Sequence, residues 1–232
     1  MFKSAAAAAL ILCLAACTSP RPRPAAAQLE RPPGASAQAL PAAGVYQIDS
    51  GESELRILVY RAGPLANLGH NHVMVNHHVT GQAQIGTNIS SSSFSLKVPV
   101  EDFVIDEALA RSEEGGDFPG EIPEDARSGA RRNMLGPALL NAAEYPVISV
   151  TCAAIDDAAG ALTAYLTVGV AGQEAKVSAP FTLTSDAHHL TATGSLELRQ
   201  TAIGLKPYSL MLGALQVQDA VRLKFKFAVL IG

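Results

Sequence analysis

The chain has 232 residues, of which 48% are hydrophobic, 16% are charged and 5% are aromatic. This composition is too apolar for a disordered segment and too interrupted by polar residues for a protein with several membrane spans. The 17 Lys and Arg residues against 21 Asp and Glu residues give a formal net charge of -4. Length and composition favour one globular domain. Because no basic surplus is left to neutralise phosphates, we expect no nucleic-acid partner.

The first 44 residues predict an export signal followed by a tether. Lys3 precedes an apolar run over residues 5–14, which is too short for a membrane span but typical of a signal peptide, here residues 1–16. The segment Leu14-Ala15-Ala16-Cys17 resembles a bacterial lipobox, which implies cleavage before Cys17 and attachment of lipid to its thiol. Residues 17–44 are rich in Pro and Ala without an apolar period, which favours an extended tether.

The residue after the lipobox cysteine predicts the location. Thr18 stands where an aspartate would indicate retention in the inner membrane, so the resemblance implies an outer-membrane lipoprotein that faces the periplasm. The alternative is an ordinary signal peptide cleaved later, for instance after Ala25-Ala26-Ala27. We expect membrane contact through the lipid anchor only. Cys152 is then the one cysteine of the domain, which leaves no partner for a disulfide within it.

The residues from Val45 onward alternate between apolar and polar side chains. Residues 55–59, 94–100 and 162–170 each place apolar side chains at every second position, which is the pattern of a half-buried strand. Residues 221–229 are the clearest case, because Val, Leu and Phe alternate with Arg and Lys. Seven or eight such strands predict an all-β fold, either a closed antiparallel barrel or a sandwich, because an open sheet would leave its apolar face uncovered.

Residues 101–125 interrupt this rhythm with ten acidic residues and a single basic one, Arg111. We interpret this stretch as a solvated insertion loop, since its spacing does not match a calcium-binding loop. Residues 127–141 then show a helical apolar period and predict one amphipathic helix that caps an end of the barrel.

Several short motifs follow one another over residues 45–232. They are Val45-Tyr46-Gln47-Ile48-Asp49-Ser50, the segment from Arg131 to Leu135, Glu144-Tyr145-Pro146-Val147-Ile148, Leu162-Thr163 to Gly172-Gln173, and Ala202-Ile203-Gly204-Leu205. In this order they resemble the YceI-like family of lipocalin-like, polyisoprenoid-binding periplasmic proteins. The resemblance implies an eight-stranded antiparallel lipocalin-like barrel with one inserted capping helix at about 127–141. It also implies a long apolar cavity for an isoprenoid chain.

The inward-facing rows of the strands supply the candidate cavity wall. Low aromatic content and many Ala and Gly residues on these rows favour a cavity over a filled core. The expected ligand-binding residues are Leu55, Ile57, Val59, Phe94, Leu96, Val98, Leu166, Val168, Phe181, Leu196, Phe225 and Phe227.

His70 and His72 are the candidates for a head-group or metal site. In an extended strand, two such residues point the same way about 7 Å apart, a separation that suits two ligands of one metal or two contacts to a pyrophosphate. The plainer alternative is that they cap a turn or form hydrogen bonds at the barrel mouth. The apolar residues at 73, 75, 79, 83 and 85 predict a single inward row, which would turn His72 towards water.

The sequence contains no nucleophile motif, no Gly-rich phosphate loop and no CxxC motif. We therefore expect non-catalytic binding or carriage of an apolar, polyisoprenoid-type lipid, with no cofactor that is certain. Two alternatives stay open at this stage. One is a periplasmic metal-binding or redox-partner protein that uses His70 and His72, and the other is a structural envelope barrel filled by its own side chains.

Overall fold

The structure is a computed structural model that describes residues 40–231. Within them it contains thirteen β-strands and two α-helices. The strands are β1 Gly44–Val59, β2 Arg61–Ala62, β3 His72–Asn76, β4 Thr80–Ile85, β5 Ser93–Pro99, β6 Val104–Ile105, β7 Val147–Ala158, β8 Ala161–Val170, β9 Gln173–Ser185, β10 His189–Arg199, β11 Ser209–Leu210, β12 Leu215–Val217 and β13 Ala220–Leu230. The helices are α1 Ala108–Glu114 and α2 Glu124–Leu135. None of the described helices is long and apolar enough to cross a membrane.

Antiparallel pairing closes the main sheet into a barrel. β1 pairs with β13 on one side, and on its other side its first half pairs with β4 and its second half with β3. The circle then runs through β5, β7, β8, β9 and β10 back to β13. Because β3 and β4 share one position, the barrel has eight positions. The predicted eight-stranded antiparallel lipocalin-like barrel is confirmed, and the closing pair between β13 and β1 excludes a sandwich.

In two adjacent strand positions of the barrel, the set of residues that faces the interior switches from one parity to the other about halfway along. This switch corrects the single inward row expected over residues 73–85. In β1, Ile48 and Leu55 both face the interior although they are seven positions apart, and the register with β13 shifts between them. In the neighbouring position, Met74 and Ala83 both face the interior although they are nine apart. An odd separation on one face requires irregular residues in between: β1 has its register shift there, and the neighbouring position has the non-strand residues 77–79 between β3 and β4.

The two ends of the barrel differ in their connections. At one end, which we call the turn end, residues 86–92, 159–160 and 186–188 make short links between strands. At the other, which we call the loop end, the connections are the short turn 171–172 and the long segments 60–71, 100–146 and 200–219. β2, β11 and β12 form a small three-stranded sheet within the loop end.

The capping helix is shorter than expected and starts earlier. Helix α2 spans Glu124–Leu135, whereas the sequence pattern predicted a helix over 127–141. Gly136 has an extended conformation, and the proline that follows it disfavours a helical conformation at the preceding residue. The helix therefore ends at Gly136-Pro137, while Leu139 and Leu140 still reach the barrel interior from the turns beyond it.

The expectation that residues 101–125 form a solvated loop is wrong. This stretch contains β6, α1 and the start of α2, and its helix α1 packs on the outer face of β3 over Val73 and Val75. Two of its carboxylates are buried, and each forms ion pairs that compensate its charge. Asp106 pairs with Arg111, and Glu114 pairs with Arg56 and Lys224.

Candidate functional site: an apolar cavity with a polar mouth

The barrel encloses a cavity of about 510 Å³. This volume lies within the range typical of small-molecule sites. All twelve residues expected on the wall line it: Leu55, Ile57, Val59, Phe94, Leu96, Val98, Leu166, Val168, Phe181, Leu196, Phe225 and Phe227. Strand alternation explains this placement, because every second side chain of a barrel strand points inward.

The middle of the wall is not fully covered by other side chains. Leu166, Leu196, Phe225 and Phe227 are only half-buried although they point into the barrel, because their inner surfaces face the cavity. Gly194 lies opposite Phe225 on the neighbouring strand, and a Cβ there would collide with the Phe225 ring. The barrel therefore encloses space for a ligand instead of being filled by its own side chains.

Apolar packing closes the cavity at the turn end. Ala83, Ile85, Leu190 and Val229 form a buried cluster there, and the segment before β1 contributes Leu40 to it. Burial of such side chains is favourable without any directional contact. A ligand that enters the cavity thus meets a hydrocarbon floor.

The cavity opens at the loop end. Among its lining residues, four are exposed, namely Arg61, His70, Asn133 and Leu210, and all of them lie at the loop end. Asn133 lies on α2, and the other three belong to the loops after β1 and before β12. The mouth thus lies between the capping helix and these loops. Gln200, Tyr208, Gln216 and His72 add further polar atoms, and no Asp or Glu is among the lining residues of the described chain.

His72 lines the cavity and is fixed from behind by a buried ion pair. Its Nδ1 lies 2.6 Å from Oδ2 of Asp106, whose Oδ1 accepts from Arg111 at 2.6 Å and from the amide of Val73 at 2.9 Å. Both Asp106 and Arg111 are almost completely buried. Arg111 also donates to the carbonyl of Asn71, so the insertion holds the chain on both sides of His72.

The charge of Asp106 determines the protonation of the facing nitrogen of His72. Burial alone would raise the pKa of the Asp106 carboxyl, but hydrogen bonds from His72, Val73 and Arg111 outweigh it and hold the pKa below its usual value. An ionised carboxylate can only accept, so Nδ1 of His72 carries the hydrogen. In the neutral ring, Nε2 is then the acceptor, and it has no hydrogen-bond partner among the described residues.

His70, which precedes β3, and His72, its first residue, lie together at the mouth, but they do not form a complete metal site. Their ring centroids are 6.2 Å apart, and His70 is exposed. No group of three or more His, Cys, Asp or Glu residues with metal-binding geometry occurs among residues 40–231. A metal there would need further ligands from water, and Asp106 already engages one nitrogen of His72.

Sequence reasoning missed Asp106 and Arg111 and turned His72 to the wrong face. The one sequence signal for this ion pair was Arg111. It is the single cation of the acidic stretch, which suggests a carboxylate partner, and it follows the apolar Ala110, which suggests a buried position. Cys152 is also buried, and burial raises the pKa of its thiol. A thiol with a raised pKa is a poor nucleophile, so Cys152 is a packing residue.

Known proteins share sequence and structural features with this chain. The model of the YceI-like domain matches residues 46–229. The solved structure of BcnA from Burkholderia cenocepacia superposes with a TM-score of 0.57 at 16% identity, over 78% of this chain and 98% of that one. A polyisoprenoid binding domain from Saccharophagus degradans, implicated in plant cell wall breakdown, superposes with a TM-score of 0.51 at 15% identity, over 81% and 98%.

The two solved structures share the fold with this chain, and a search of curated proteins found no match. The family match covers most of the chain and spans all eight positions of the barrel. The chain therefore belongs to the YceI-like family.

Proposed function

We propose that this protein binds and carries an apolar lipid of the polyisoprenoid type in the bacterial cell envelope, without transforming it. The observation that carries the proposal is the cavity of about 510 Å³, which has a hydrocarbon wall, a closed turn end and polar side chains at its mouth. A chain-like lipid with a small polar head matches this arrangement of an apolar wall and a polar mouth. The polyisoprenoid binding domain with the same fold supports the ligand class.

The polar groups at the mouth suggest the orientation of the ligand. The hydrocarbon chain would extend towards Ile85 and Leu190 at the turn end, and the head group would stay near His72. Burial of each methylene-sized unit contributes roughly 0.8 kcal/mol before ordering costs, so the filled length of the cavity sets the affinity. Nε2 of His72 offers the head group a hydrogen-bond acceptor.

Native mass spectrometry of the protein purified without added lipid tests the proposal. We expect a co-purified mass that corresponds to one prenyl compound per chain. A bound metal ion instead of a lipid would favour the metalloprotein alternative, and a bare polypeptide that takes up no added prenyl alcohol would favour a structural barrel. Either result would contradict carriage of a lipid.

The location is part of the same proposal. Cys17 and residues 18–39 of the tether lie outside the described residues, and the lipobox resemblance supports an outer-membrane lipoprotein that faces the periplasm. Cys17→Ser removes the acylated thiol, so we expect the protein to appear in the soluble fraction or to accumulate as uncleaved precursor. Fractionation followed by immunoblotting measures this change. Unchanged membrane partitioning of mature Cys17→Ser protein would contradict the lipid anchor, and Cys152→Ser is the matched control.

A further inference from the structure

Two segments beside the mouth, residues 61–69 and 209–217, form one unit that we call the double loop. β2 pairs with β12 across it, and the amide of Leu65 donates to the carbonyl of Ala214 at 2.8 Å. Gly63 has a φ of +90°, and a Cβ at this position would touch the carbonyl oxygen of Ala214 at 2.6 Å. Only glycine fits so close an approach, so the double loop is closely packed.

The double loop exposes four large apolar side chains, which we call the apolar tip. Leu68 is 67% exposed, Leu210 44%, Met211 70%, and Leu212 has the full exposure of an extended chain. Met211 and Leu212 both have positive φ angles of 51° and 56°, a conformation that residues with side chains rarely adopt. This backbone holds apolar side chains in water beside the mouth, which marks the tip as a contact surface.

The two segments that carry the double loop contain no carboxylate up to residue 218, whereas the acidic insertion and Asp219 lie at the same end of the barrel. Residues 60–71 and 200–218 contain no Asp or Glu, and their charged side chains are those of Arg61 and Lys206. This is notable in a chain with a net charge of -4. Apolar side chains at the tip of a loop bury themselves among acyl chains, and the cations Arg61 and Lys206 can pair with lipid phosphates.

The apolar tip is continuous with the cavity. Leu210 is exposed on the tip and also lines the cavity wall near Leu215. A lipid chain could therefore pass from the bilayer to the wall without crossing a charged gap. The chain enters the barrel at the turn end, opposite the mouth, but the roughly 27 residues from Cys17 to β1 span up to about 90 Å when extended. This reach exceeds the roughly 36 Å length of an 11-residue strand, so an anchored barrel can still turn its mouth to the membrane.

We propose that the apolar tip inserts into the surface of a lipid bilayer and places the cavity mouth against it. The purpose of this contact, collection or delivery of the ligand, rests on the proposed function. The contact itself follows from the tip, its charge and its position.

A single introduced tryptophan reports the contact directly, because the chain contains none. In full-length Leu212→Trp, vesicles of phosphatidylethanolamine and phosphatidylglycerol should shift the emission to shorter wavelength, and brominated acyl chains should quench it. Val45→Trp is the matched control, since Val45 is an apolar residue that is 58% exposed at the turn end. Quenching at position 212 but not at position 45 is the expected result.

Equal quenching at both positions, or none at position 212, would overturn the proposal. An emission shift that needs no vesicles and grows with protein concentration would indicate a second copy of the chain as the partner, which would also overturn it.

The double substitution Met211→Asp, Leu212→Asp tests the purpose of the contact. Transfer of a fluorescent prenyl alcohol between vesicles should slow about tenfold or more, because burial of one leucine side chain accounts for about that factor. The amount of prenyl alcohol bound without vesicles should stay unchanged. If the wild-type chain binds none, the proposed function fails while the quenching result stands, so the two failures can be told apart. Unchanged transfer by the double variant would overturn the role of the tip.

Discussion

The turn end and the loop end of this barrel are built by different physical means. The turn end is closed by Ala83, Ile85, Leu190 and Val229, and these need only to exclude water. The loop end depends on His72, Asp106 and Arg111, whose hydrogen bonds require a fixed geometry. Removing one partner of such a buried pair leaves the other buried without a counter-charge. The loop end is therefore less tolerant of changes in single polar atoms.

This difference matches the division of labour in the proposed carrier. A hydrocarbon floor accepts any chain of suitable length, because apolar contact has no direction. A mouth with a positioned imidazole selects among head groups, because hydrogen bonds are directional. Affinity thus comes mainly from the barrel and the turn end, and selectivity from the loop end.

The largest expected effect is at the turn end. Leu190→Glu places an unpaired carboxylate in the buried cluster, at a cost of several kcal/mol, so we expect the domain to unfold or to lose most of its stability. Urea unfolding followed by circular dichroism measures the free energy of unfolding. Thr193→Glu is the control, because Thr193 is exposed on the outer face of the same strand and lies opposite Lys226. Equal loss in both variants would mean that the inner and outer faces are assigned wrongly.

The next effect concerns the buried pair at the loop end. Asp106→Asn keeps a side chain that tolerates the positive φ of 57° but leaves the Arg111 guanidinium buried without its counter-charge. We expect a loss of about 3–5 kcal/mol in the free energy of unfolding. Asp102→Asn, in the same insertion but with a side chain 40% exposed, should lose less than about 1 kcal/mol. Combining Asp106→Asn with Arg111→Met should cost less than the sum of the two single changes, and strict additivity would contradict the pair.

Sequence patterns predicted the barrel wall but not the mouth. The wall follows from the alternation of apolar residues along strands such as 162–170 and 221–229, because each inward position is read from its own strand. His72 was placed on the wrong face because the register shift in β1 and the break at residues 77–79 between β3 and β4 reverse the alternation, and neither leaves an apolar signature. Asp106 could not be told from other acidic residues of the insertion, since its burial depends on Arg111 and on the docking of α1. The helix end at Gly136-Pro137, by contrast, could have been predicted.

Acid should weaken the loop end first. The pKa of Asp106 is held below its usual 3.8, because the hydrogen bonds from His72, Val73 and Arg111 outweigh the effect of burial. A carboxyl with a lowered pKa in the folded state contributes stability that is present above the unfolded pKa and lost as the pH falls through the folded one. Each unit of lowering corresponds to about 1.4 kcal/mol. We therefore expect the free energy of unfolding to fall steeply below about pH 4.

Asp106→Asn supplies the control for this pH dependence. The variant starts from lower stability but should show a shallower decline below about pH 4, since it lacks the proton uptake of Asp106. The pKa of Asp49 near the turn end is also lowered, chiefly by the hydrogen bond from His189, but this pair is solvent-screened. Asp49→Asn should therefore leave the acid profile almost unchanged. A parallel decline in wild type and Asp106→Asn would contradict a major role for Asp106.

The smallest expected effect is on the head group of the ligand. His72→Ala removes one hydrogen-bond acceptor at the mouth and leaves the hydrocarbon wall intact, so affinity for a prenyl alcohol should fall by about 1 kcal/mol, or roughly fivefold. Affinity for a prenyl hydrocarbon of the same length should not change, because it offers no donor. His70→Ala is the matched control at the mouth, since His70 is exposed and makes no hydrogen bond to the described residues. Competitive displacement of a fluorescent lipid measures the affinities of wild type and both variants for the two ligands. If His72→Ala weakens the alcohol and the hydrocarbon equally, His72 acts as part of the apolar wall, and selection of the head group lies with the other polar residues of the mouth.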